Sequence, residues 1–168
     1  MQPTSSFSSF CSPSRRLLIA AGLLASAALS GCSMFGGPAV LNAKVVASAQ
    51  VNPDARKRPS PVVVRVFELK SSTLFEQADF VSLFEKEQAV LGPELISREE
   101  FVLRPGETKP LTKPLSPDTK FIGVMAAFRE LESARWRAVV PVAAGKKNVV
   151  SIDLNEITLQ AKRTSPKP

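Results

Sequence analysis

Short apolar stretches separated by turns make up most of this chain, and two segments of a different pattern divide it. The first is an apolar run over residues 17–29, rich in leucine and alanine. The second is a change of period between residues 71 and 91. There Leu74, Ala78, Val81 and Phe84 fall near helical spacing, Phe80 and Leu83 widen the stripe, and Glu85, Glu87 and Gln88 lie off it. This spacing predicts one helix over roughly 74–89, with an N-cap among Ser71, Ser72 and Thr73 and a stop at Gly92-Pro93.

The remainder reads as short strands and turns. Residues 40–51 predict a first strand. Residues 62–69 predict the strongest one, because β-branched side chains dominate and Arg65 marks a solvent side. Between them, Pro53, Pro59 and Pro61 with Asn52 and Asp54 cannot sit inside a sheet, so residues 52–61 form a surface loop. Residues 100–104 suit a short strand before the Pro105-Gly106 turn, and residues 108–115, interrupted by Pro110 and Pro114, suit an edge strand. Residues 121–129 form a long apolar strand expected at the centre of a sheet. Residues 136–142 and 148–153 look like a pair joined through 144–147, residues 157–160 extend the last strand, and residues 161–168 are a polar tail. Seven or eight short strands with turns every 8 to 12 residues predict a mostly β chain, a two-sheet β-sandwich with one inserted helix over residues 40–160.

The apolar run has a different meaning. Arg15 and Arg16 precede it with no acidic residue before them, and its 13 residues are too few for a bilayer span, which needs roughly 20. It ends in Leu29-Ser30-Gly31-Cys32, which resembles the bacterial lipobox. Small residues let an extended backbone enter a peptidase, and the thiol of Cys32 is the nucleophile that accepts a diacylglyceryl group. Residues 1–31 are therefore expected to be a cleaved signal, and residues 32–39 a lipidated, flexible tether. Ser33, in place of Asp after the cysteine, favours the outer membrane. Several acyl chains suffice for stable anchoring where one is marginal.

Composition then narrows the chemistry. The formal charge of +7 falls to +5 once Arg15 and Arg16 leave with the signal, a spread-out excess that does not read as a nucleic-acid footprint. The two cysteines, Cys11 and Cys32, go to the signal and to lipid, so no disulfide is expected and the fold must stand on its core. With no histidine and no free thiol, His-based triads, thiol nucleophiles and the common zinc sites are excluded. Two acidic groupings, Glu99-Glu100 and Glu85 with Glu87, could be a general acid/base pair, but a solvated helix face and a strand entrance explain them better. Neither enzyme, cofactor nor small-molecule substrate is expected. Trp136 reads as core. The basic run Arg56-Lys57-Arg58 between prolines reads equally as a solvated loop that helps solubility or as a protein-docking loop, since a restricted loop loses little entropy on docking and Arg binds carboxylates in a fork.

Several stretches together resemble one family. They are Asn52-Pro53-Asp54, then Arg58-Pro59-Ser60-Pro61 running into Val62-Val63-Val64-Arg65-Val66-Phe67-Glu68-Leu69-Lys70. They continue with Phe75, Ala78-Asp79-Phe80, Leu91-Gly92, and Phe101-Val102-Leu103-Arg104-Pro105-Gly106-Glu107. Phe121-Ile122-Gly123-Val124, Ala127-Phe128-Arg129 and Trp136-Arg137 complete the set. Over about residues 45–160 the chain resembles the outer-membrane lipoproteins of the type VI secretion system, the TssJ family. The resemblance implies a transthyretin-like sandwich with an added helix, anchored by lipid in the outer membrane and facing the periplasm. It implies a partner, the periplasmic C-terminal domain of the large inner-membrane subunit (the TssM family), in an envelope-spanning membrane complex. It also ties the loop between the first two strands to that contact, and so points to Asn52, Asp54, Arg56, Lys57 and Arg58. A pilotin-like or ligand-binding lipoprotein of the same fold is the alternative, with a cell-wall hydrolase third.

Overall fold

The structure, a computed structural model, describes residues 37–164. The expected signal, Cys32 and most of the tether that it begins lie outside those residues, as do residues 165–168. Among the described residues eight strands form two four-stranded sheets. The first runs in the order β4 (Thr108–Pro114), β1 (Val40–Ala47), β7 (Lys147–Leu154), β8 (Leu159–Thr164). The second runs β3 (Leu95–Leu103), β2 (Val62–Leu69), β5 (Phe121–Ala127), β6 (Arg137–Pro141). Neighbours are antiparallel except β1 and β7, which are parallel.

Period-two alternation builds the central layer. Leu41, Ala43, Val45 and Ala47 of β1 with Val150, Ile152 and Leu154 of β7 face Val62, Val64 and Val66 of β2 and Ile122, Val124 and Ala126 of β5. Strand β4 takes its prolines at an edge, where a missing N–H breaks no ladder bond. Strand β5 lies inside its sheet, as its apolar run predicts.

A second apolar layer lies on the outer face of the β3-β2-β5-β6 sheet. Phe67 and Leu69 of β2 and Met125 of β5 are covered by Phe75, Leu83 and Leu91. These three come from short helices: α1 (Thr73–Gln77), α2 (Phe80–Glu85) and α3 (Glu87–Leu91). The single helix expected over 74–89 is thus broken twice. Asp79 is extended, and its carboxylate accepts the Ser82 N–H at 2.9 Å, starting α2 afresh. Lys86 leaves helical geometry between α2 and α3. The breaks rotate the apolar stripe, so Phe75, Leu83 and Leu91 are buried while Leu74 and Val81 are exposed. Gly123 makes the close approach possible, because a Cβ there would stand 2.9 Å from Leu69 Cδ1 and 3.0 Å from Phe75 Cζ.

Three further expectations change. Strands β6 and β7 are not a hairpin; they belong to opposite sheets. The buried Asn148 closes the crossing, accepting the Ala143 N–H at 2.7 Å and donating to the Ala143 and Lys146 carbonyls at 3.0 Å. Strand β3 begins at Leu95, well before residue 100, because it pairs with β2 along nearly its whole length. Strand β8 reaches Thr164 and so takes in the first part of the stretch read as a tail.

The largest correction concerns Arg65, which is 8% exposed and lies beneath the helices, not in solvent. Its Nε donates to Glu100, and its Nη1 donates to the Phe84 carbonyl and to Glu87 Oε2 at 3.0 Å. The guanidinium also sits 4.0 Å from the Phe84 ring centroid. Arg98 completes the network at 3.0 Å from Glu87. Glu87 and Glu100 are therefore counter-ions for a buried cation, neither an acid/base pair nor freely solvated. On the same face Arg137 Nη1 donates to the Phe75 and Ala78 carbonyls at 3.1 and 2.6 Å and stacks on Trp136. Trp136 meets Phe80 edge-on at 5.2 Å and packs against both apolar layers, in keeping with a core role.

Glu68 performs a similar office between the sheets. Its carboxylate accepts from Ser97 Oγ at 2.7 Å, Thr119 Oγ1 at 2.8 Å and the Ser116 N–H at 3.2 Å, and pairs with Lys113 of β4. Burial alone would raise its pKa, but the Lys113, Ser97, Thr119 and Ser116 donors outweigh burial and hold it below the ordinary 4.5.

Two outcomes follow from these buried charges. Arg65→Ala strands Glu87 and Glu100 and should cost about 3 kcal/mol in urea unfolding, with faster amide exchange across residues 80–91. Glu68 has a depressed folded pKa, so its contribution is present above the unfolded value and lost as pH falls through the folded one. Glu68→Gln should therefore lower stability at pH 7 by about 1–2 kcal/mol. It should also flatten the decline in stability expected of the wild type as pH falls below the ordinary carboxylate value of 4.5.

Candidate interaction site

The loop from β1 to β2 is ordered by its own polar groups. Asn52 adopts φ 51°, a left-handed conformation that Asn tolerates, and is 3% exposed. Its Nδ2 donates to the Pro61 carbonyl at 2.7 Å, its Oδ1 accepts the Arg129 N–H at 2.8 Å, and its own N–H donates to the Glu156 carbonyl at 2.7 Å. One buried amide thus ties the two ends of the loop to the β5–β6 and β7–β8 connections.

Asp54 organises the tip. Its Oδ1 accepts the N–H groups of Arg56 at 2.8 Å and Arg58 at 2.9 Å, and its Oδ2 binds the Arg58 guanidinium at 2.8 and 2.7 Å. The Arg58 backbone bond, then the Arg58 side chain, pull the Asp54 pKa down to about 2, against a smaller opposing effect of burial. The carboxylate, and with it the turn, stays charged through the whole physiological range. Lys57 completes the turn at φ 62°.

This sorts the loop residues foreseen as partner contacts. Asn52 is buried, with its amide nitrogen bonded to the Pro61 carbonyl and its amide oxygen to the Arg129 N–H, so its side chain anchors the loop. Asp54 and Arg58 are engaged with each other. Arg56 and Lys57 are exposed and, among the described residues, make no ion pair. A depression of about 350 Å³ beside the tip is lined by Pro53, Asp54, Ala55, Lys57, Arg129 and Glu130. Arg129 and Glu130 come from the β5–β6 connection, and no sequence spacing relates them to residue 54; the Asn52–Arg129 bond brings them there.

The arrangement has a polarity. The loop shares one end of the sandwich with the β3–β4 turn, through Gly106 N–H to the Ser48 carbonyl, and with the β7–β8 turn. The tether enters at the other end, where Val40 N–H donates to the Lys146 carbonyl. The eight residues of β1 separate the two, about 26 Å at the usual rise. Among the described residues no group of three or more acidic or cysteine side chains is placed to hold a metal.

The described residues form a lean two-sheet sandwich with an ordered, charged loop at one end. The chain belongs to the type VI secretion lipoprotein family (VasD, EvfM, TssJ), whose pattern it matches over residues 39–157. It is similar to the T6SS lipoprotein TssJ1 from Pseudomonas aeruginosa, at 32% identity over 78% of this chain and 99% of that one, with a TM-score of 0.75. It is also similar to Lip from Serratia marcescens, a membrane-bound component of the type VI secretion system, at 28% identity over 73% and 96%, with a TM-score of 0.68. A chain in the structure described as the T6SS protein TssM C-terminal domain from EAEC matches at 27% identity over 74% and 98%, with a TM-score of 0.60. No curated protein matches the chain. The family is a structural component of a secretion system.

Anchor and tip should separate experimentally. Asn52→Ala removes two buried bonds and should cost about 2 kcal/mol of stability. Asp54→Ala should leave the melting temperature nearly unchanged while speeding amide exchange at Arg56 and Arg58, as read by NMR.

Proposed function

We infer that this chain is exported, lipidated on Cys32 and held in the outer membrane facing the periplasm. There it binds the periplasmic C-terminal domain of a TssM-type inner-membrane subunit and so helps assemble and anchor the type VI secretion membrane complex. The observation that carries the partner is the match, over nearly the whole of the other chain, to a chain in a structure described as a TssM C-terminal domain. The geometry supports the same reading. The tether and the loop of residues 52–61 leave opposite ends of β1, so one end can meet a membrane while the other meets a protein. Arg56 and Lys57, the exposed cations of a pre-ordered tip, are the contacts expected to reach carboxylates on that partner, with little ordering entropy to lose.

Affinity recovery from detergent-solubilised membranes tests the reading. Wild type should recover a large inner-membrane subunit, and Arg56→Ala/Lys57→Ala should recover about tenfold less, or ~1.4 kcal/mol in affinity. Recovery of no such subunit by wild type would sink the function. Equal recovery by the double variant would move the contact off this loop. Cys32→Ser should keep the partner in solution but leave it no longer sedimenting with outer membrane.

A further inference from the structure

We propose that the end of the sandwich where the tether enters is a docking surface for anionic phospholipid headgroups. This rests on the reading that Cys32 carries the lipid. Lys146, Lys147 and Arg163 line a single depression of about 400 Å³ together with Ala143, Asn148 and Thr164. All three cations are exposed, and among the described residues none makes an ion pair. They converge from different segments because Val40 pairs with Lys147, and Val150 pairs with Arg163. Exposed Lys120 stands nearby, its carbonyl bonded to the Val142 N–H. The acids at this end do not offset them. Glu68 is spent on Lys113 and Asp118 on Lys70, and Glu94, in the turn after α3, has its Oε2 buried and so not presented at the surface.

Covalent geometry places this surplus of charge at the membrane. Seven residues, 33–39, separate the acylated cysteine from β1, and the eight Cα steps from Cys32 to Val40 reach no further than about 28 Å when fully extended. The same strand end that receives the tether carries Lys146 and Lys147 beside it. The basic depression therefore stays close to the leaflet in which the acyl chains are buried, and it can approach to within the screening distance of about 8 Å at physiological salt. Phosphodiester oxygens are the chemistry that two ammonium groups and a guanidinium in one concavity fit. Headgroup contact would set the sandwich upright and point the loop of residues 52–61 away from the bilayer.

The chain from Ser33 onward contains every strand of the described residues and both apolar layers, and without Cys32 any membrane binding must come from its surface alone. Its co-sedimentation with vesicles of phosphatidylglycerol mixed with phosphatidylcholine, against pure phosphatidylcholine, is the test. Each cation near an anionic leaflet strengthens binding roughly fivefold. Lys146→Gln/Lys147→Gln/Arg163→Gln should therefore bind the mixed vesicles at least about tenfold more weakly, with an unchanged melting temperature. Arg56→Gln/Lys57→Gln, at the other end, should bind as wild type does, and raised salt should release both. The surface is refuted if the wild-type chain ignores phosphatidylglycerol, if it binds pure phosphatidylcholine equally, or if the triple variant binds undiminished. It is equally refuted if the triple variant keeps vesicle binding and loses the inner-membrane subunit. Palmitate labelling of full-length wild type and Cys32→Ser, measured separately, reports on the anchor, so failure of one idea is not mistaken for failure of the other.

Discussion

Strand β2 is covered on both faces, and the rest of the structure depends on that double burial. Its Val62, Val64 and Val66 fill the space between the sheets, while Phe67 and Leu69 fill the space under the helices. Arg65 has to be accommodated within the same strand. Glu87, Glu100, the Phe84 carbonyl and the Phe84 ring surround its guanidinium and give the buried cation its partners. Those groups come from β3, α2 and α3, so this guanidinium, together with that of Arg137, ties the helical insertion to a sheet whose described residues include no cysteine. Isolated helices of five or six residues are marginal in water. These persist because the sheet supplies their apolar floor and their charge partner.

Much of this was readable from residue patterns. The alternation of β1, the prolines of β4 and the apolar run of β5 each placed a strand correctly, because each reflects a local rule about which side faces the core. The helical segment was legible as helix but not in its phase. Asp79 offers the backbone a capping bond that competes with continuing the helix, and a break of one residue rotates every later side chain. Arg65 misled for a related reason, since a lone cation in a strand ordinarily faces water and nothing local announces that helices will close over it. The crossing from β6 to β7 escaped because a Gly-containing turn between two strands looks the same whether or not they pair.

The interaction loop shows the same division. Its existence and charge were evident from the prolines and the Arg56-Lys57-Arg58 run. The roles within it were not, because they depend on where Asp54 and Asn52 spend their hydrogen bonds. Asp54 takes up Arg58, and Asn52 reaches across to Arg129, far along the chain. Polar residues that look ready for a partner can be the scaffold that holds two others in place.

The placement of β1 has a mechanical consequence. The tether and the loop are attached to the two ends of one strand, so a pull between them travels along the covalent backbone of residues 40–47. The hydrogen bonds to β4 and β7 lie across that line on both sides and hold the strand in register. Neither the apolar contact between the sheets nor the helical layer stands in the path of the load. A small domain without cross-links can in this way transmit tension from one end to the other while its core bears little of it.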